Sequence, residues 1–153
     1  MGKNIVRQTK GKPKNRNGLI LNTSYDDFKL GNSIEEYKNN AYQIDKHDIP
    51  SPWECYNFIQ NDSEIEVWCE NNVIISICCN QSCIYKGHEL IHMAYEDFLS
   101  LINETPSDHD ICYVPINKDR GQNQHVYDFD KSGLQIWVWR NKIRTVIIST
   151  FEE

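Results

Sequence analysis

The sequence predicts an α+β protein: a curved antiparallel sheet with helices on one face, built from two repeated helix-plus-β-meander units. Three observations lead there. Short runs with apolar residues at every second position recur along the chain. Two stretches carry acids directly after a turn and read as helix starts. The second half of the chain repeats the pattern of the first.

Taken in order, residues 1–17 are a basic, flexible tail rich in Lys, Asn and Gly, and residues 18–153 form one domain. Leu19–Asn22 reads as a short strand. Ser33 or Asn32 caps a helix reaching Ala41, with Glu35 and Glu36 at its positive end. Gln43–Pro52 reads as loop. Strands are predicted at Trp53–Ile59, Glu64–Cys69, Val73–Cys79 and Ser82–Tyr85, with Asn71-Asn72 supplying a tight hairpin turn. A second helix covers Met93–Ile102 and ends in a polar loop holding Pro106, Asp108 and Asp110. Four strands follow at Ile111–Ile116, Gln124–Phe129, Leu134–Arg140 and Ile143–Thr150. Between the halves, GNSIEEY (from Gly31) lies over HMAYEDF (from His92), and Tyr56-Asn57-Phe58 over Tyr127-Asp128-Phe129.

Alternation also assigns faces. Ile65, Val67 and Cys69 share one side of their strand, leaving Glu64, Glu66 and Trp68 on the other. Leu134, Ile136 and Val138 leave Gln135, Trp137 and Trp139 opposite. The four tryptophans are expected mainly in the core, with Trp137 or Trp139 available as an exposed anchor.

Charge narrows the partners. Six of the 16 basic residues lie in the first sixteen positions, where there is no acid. The remainder holds 10 basic against 22 acidic residues, a formal charge of −12. Such a body repels nucleic acid and attracts basic proteins. The longest apolar stretch, Val73–Cys79, is too short to span a bilayer, so a cytoplasmic protein is expected. The six cysteines fall largely within apolar strands and read as buried thiols.

The sharpest motif is His88-Glu89-Leu90-Ile91-His92, a match to HExxH. On a helix the two histidines share a face and bind zinc while the glutamate activates water, which is the alternative reading of the chain as a small zinc-dependent hydrolase. Gly87 and the strand-like Ile84-Tyr85 place His88 in a loop instead, and no third ligand follows, since Glu104 and His109 lie in a Pro-containing loop. Cys79, Cys83, His88 and His92 have the ligand types of a local zinc clip, but too little chain separates the two pairs for a zinc finger. His109 between Asp108 and Asp110, and His125 near Asp128 and Asp130, read as solvated strand or loop residues. No metal, cofactor or catalytic residue is expected.

FKLGNSIEEY, LIHMAYEDF and VYDFDKSGLQIWVWRNKIRTVIIS resemble the small immunity proteins of bacterial polymorphic toxin systems, including contact-dependent growth inhibition, from residue 23 onward. The resemblance implies a monomer or weak dimer that binds its cognate toxin domain, commonly a basic nuclease, and occludes its active site. Where that family carries Gly at the second helix start this chain has His92, which marks the HExxH match as accidental. The resemblance transfers no residue roles. From charge and face, the expected contact residues are Glu64, Glu66, Glu70, Asp108, Asp110, Asp128, Asp130, Trp137 and Trp139.

Overall fold

The computed structural model describes residues 18–39, 41–61 and 63–150. The basic tail expected over residues 1–17 lies outside them. Strands β1 (Leu19–Ile20), β2 (Ser24–Tyr25) and β3 (Phe28–Lys29) make a small three-stranded sheet. A single 3₁₀ turn, Ile34–Tyr37, leads into β4 (Gln43–Lys46), β5 (Trp53–Gln60), β6 (Ser63–Glu70) and β7 (Val73–Cys79), an antiparallel meander. The hairpin β8 (Ile84–Tyr85) and β9 (His88–Glu89) precedes helix α1 (Tyr95–Ile102). A second meander follows: β10 (Asp108–Asn117), β11 (Arg120–Phe129), β12 (Leu134–Trp139) and β13 (Lys142–Ser149). β13 pairs with β7, which fuses the meanders into one eight-stranded sheet of order β10-β11-β12-β13-β7-β6-β5-β4.

This corrects the expected α+β class. Among the described residues strand makes up 56% and helix only 9%, so the protein is mostly β rather than helices laid on a sheet. The helix expected at Ser33–Ala41 stops after one turn. Ser33 does cap it, its hydroxyl accepting from the Glu35 amide. Asn39 then turns its own side chain back to accept from the Ala41 amide, a local bond that competes with the helical one. The start of the turn is also tied to the meander, Ile34 donating to the Asn72 carbonyl. The predicted loop at Gln43–Pro52 contains β4, whose polar, exposed residues suit a sheet edge. Asp108 and Asp110, expected in a loop, belong to β10, because pairing with β11 outweighs the weak strand preference of aspartate.

The two meanders share their irregularities. Register slips between Trp68 and Cys69 in β6, and between Trp137 and Val138 in β12. The next turn is Asn71-Asn72 in one and Arg140-Asn141 in the other, all four residues at positive φ. Cys78 pairs with Ile147 where the halves meet.

One face of the sheet carries the core. Phe58, Val67, Ile77, Ile136, Val146 and Ile148 are fully buried there, each side chain stabilising the fold by roughly 1.5–3 kcal/mol. The short elements pack over this face with Phe28, Ile34, Tyr85, Leu90 and Phe98 in the same apolar cluster. Among the described residues nothing from the core cluster lies on the opposite face.

Candidate functional site

The opposite face is the candidate site. Cross-strand pairs trace a single row across all eight strands: Asp45, Asn57, Glu66, Cys78, Ile147, Gln135, Asp128 and Asp108. The row is apolar at its centre and acidic towards both edges. The sequence suggested one acidic and one aromatic surface, and the β7–β13 pairing makes them one surface.

All four tryptophans stand on it. This corrects the expectation that they fill the core: none of them belongs to it, and Trp53 is 43% exposed. The sequence reading passed over Trp53 and Trp68, although the alternation in β6 already placed Trp68 beside the glutamates. Trp68 donates its indole N–H to Glu66 at 2.5 Å, and Trp137 makes the equivalent bond to Gln135 at 2.9 Å. These bonds fix the ring orientations without covering the ring faces. Between the two halves Trp53, Glu66, Trp68, Ile75, Cys78 and Ile147 line a groove of about 510 Å³.

Eight of the nine expected contact residues share this face. Glu64, Glu66 and Glu70 alternate with buried residues along β6, and Trp137 and Trp139 do so along β12. Asp108 lies directly opposite Asp128, and Asp110 opposite Val126, whose other neighbour is Trp137. Asp130 departs from the group: it sits in the β11–β12 turn, beside Glu104 in a separate depression. Between described residues the ion pair is Lys38–Glu35, so the acids of the face have no basic side chain opposing them. Their contacts are hydrogen bonds: Asn57 donates to Glu64, and Gln135 donates to Asp128 at 2.9 Å. The Cys55 thiol approaches Glu66 at 3.6 Å, and burial with that carboxylate pushes Cys55 up to about 12.

The hairpin β10–β11 adds a second exposed apolar element, also missed in the sequence. β11 pairs with β12 only over His125–Phe129, so its outer half and the matching part of β10 form a two-stranded arm. Ile111, Tyr113 and Ile116 are more than half exposed along this arm.

The HELIH segment does not take the helical form its zinc chemistry requires. His88 and Glu89 lie in β9, and His92 holds a turn at φ +75°. The Glu89 carboxylate is engaged by its own loop, accepting from the Ser82 hydroxyl and the Cys83 and Ile91 amides. Cys79 and Cys83 are fully buried whereas His88 and His92 are exposed. Among the described residues no three His, Cys, Asp or Glu side chains converge as a metal site. No described helix is long and apolar enough to cross a membrane. No protein-family model, curated protein or solved structure matches the chain.

Proposed function

We propose that this chain is a cytoplasmic immunity protein that binds a cognate, basic toxin domain, most simply a nuclease, and occludes its active site with the uncovered sheet face. The observation that carries this reading is the gathering of all four tryptophans with unopposed carboxylates on one face. A folded monomer gains nothing from leaving large rings partly exposed, whereas tryptophan is among the strongest contributors to protein interfaces. Carboxylates without cations steer a basic partner and select it by charge. The sheet supplies a rigid platform, so little conformational freedom is lost on association.

The test is calorimetric titration of the protein with the basic toxin domain encoded beside it, at two salt concentrations, together with an assay of toxin activity. One-to-one binding that weakens with salt and abolishes toxin activity is expected. Glu64→Lys and Asp110→Lys are each expected to weaken it tenfold or more with the fold intact. Binding indifferent to both reversals would overturn the choice of face, and absence of binding would overturn the function.

A further inference from the structure

The positive charge on this face is concentrated at one corner. The Arg140 guanidinium lies 4.4 Å from the centre of the Trp139 ring, and that of Arg144 lies 5.0 Å from the same ring. Two like charges share one indole, and between described residues neither has a carboxylate within ion-pair distance. The Arg144 Nε is shielded from solvent and has no hydrogen-bond partner. A buried guanidinium nitrogen left without an acceptor is costly, because its lost hydration is not replaced.

The other meander serves as an internal control. Its matching register places Glu70, Asn71 and Ile75 where this corner has Trp139, Arg140 and Arg144. The fold therefore needs neither arginine. Arg140 is moreover unfavourable where it stands: it begins the β12–β13 turn at φ +53°, a conformation Asn71 adopts far more readily in the matching turn. A strained, uncompensated cation that the fold does not require points to a ligand.

We propose that Arg140 and Arg144, held on Trp139, form a binding site for an oxyanion, a carboxylate or phosphate group. Stacking on the indole orients the planar guanidinium groups and leaves their N–H edges to donate, which is the arrangement that receives two oxygens of one anion. The site shares Trp139 with the proposed toxin-binding face, but titration with small anions tests it without a toxin domain.

The experiment is an NMR titration of the whole chain with inorganic phosphate, at ionic strength held constant with sodium chloride, following the Arg144 Nε–H and Trp139 indole signals. A parallel titration with glutarate separates a phosphate ligand from a partner carboxylate, according to which anion binds more tightly. Saturable shifts concentrated on these two signals are expected, lost in Arg144→Gln and at least fivefold weaker in Arg140→Asn. Arg140→Asn should also raise the melting temperature, because asparagine relieves the turn. Shifts that grow without saturating, or that persist unchanged in both variants, would overturn the site. A lower melting temperature in Arg140→Asn would make Arg140 a structural residue and overturn it equally.

Discussion

Gly31 and His92 hold matching places before the two meanders. Gly31, at φ +91°, donates its amide to the Ile74 carbonyl at 2.9 Å; His92, at φ +75°, donates to the Ile143 carbonyl at 2.7 Å. Ile74 and Ile143 are themselves matching residues of β7 and β13. Each bond pins a covering segment to the sheet, and each requires a backbone conformation that glycine adopts without strain.

Exchanging the residue types at these two places should therefore have opposite effects. His92→Gly is expected to stabilise the protein by about 0.5–1 kcal/mol, and Gly31→Ala to destabilise it by about 1 kcal/mol. No atom lies within 4 Å of a Cβ built on Gly31, so the loss there comes from the backbone alone. Urea unfolding at neutral pH measures both. A destabilised His92→Gly would show that the imidazole makes a contact worth more than the strain.

Asp108 and Asp128 face each other directly across β10 and β11. Like charges in such a pair cost roughly 0.2–1 kcal/mol. Asp108→Asn should raise the urea midpoint at low salt, with the gain shrinking as salt is added. In the same variant affinity for a basic toxin domain should fall. Equal stability in the two proteins would remove the repulsion argument.

Burial pushes Cys55, Cys69 and Cys78 up to about 12 each. The folded protein keeps these protons to about pH 12, whereas an unfolded chain releases them from about 8.5. Unfolding is thus favoured progressively as pH rises through that window, and the thiols' contribution is complete below it. Urea midpoints should fall above about pH 8.5, less steeply in Cys78→Ala; the same slope in the variant would refute the contribution of Cys78.

Cys112 is the exposed thiol among the six, all of which are free. A thiol reagent at pH 8 should label one residue quickly and the others only after denaturation. Two or more fast equivalents would show that the sheet opens locally.

Phe98→Ala and Trp68→Ala separate the two faces of the sheet. Phe98 is fully buried, with its ring edge-on to Phe129 at 5.4 Å, so its truncation should cost about 3–5 kcal/mol of stability. Trp68→Ala should cost much less stability and remove about 2 kcal/mol or more of partner affinity, a hot-spot magnitude. Thermal unfolding and calorimetry distinguish these losses, and a large stability loss in Trp68→Ala would return that ring to a structural role.

Much of the strand pattern is readable from local sequence. Val73–Cys79 is an apolar run rich in branched residues, and β7 has those bounds. Ile65, Val67 and Cys69 are buried as their spacing requires, while Glu64, Glu66 and Trp68 are not. The first helix was over-read because its capping signal is real, yet the signal specifies a start and not a length; Asn39 ends the turn after Tyr37. Asp108 and Asp110 were misread because aspartate argues locally for loop, and their strand depends on a partner more than ten residues away.

The sequence by itself determined the charge of the body, the period of its strands and the two sides of each strand. Only the tertiary structure decided which side would be covered and which strands would adjoin. Alternation orders side chains along one strand but says nothing about its neighbours across the sheet. The pairing of Cys78 with Ile147 joins the meanders, and with it the glutamates of β6 and the tryptophans of β12 come to face the same way. A binding face of this kind arises from hydrogen bonds between distant strands, so no local pattern could have announced it.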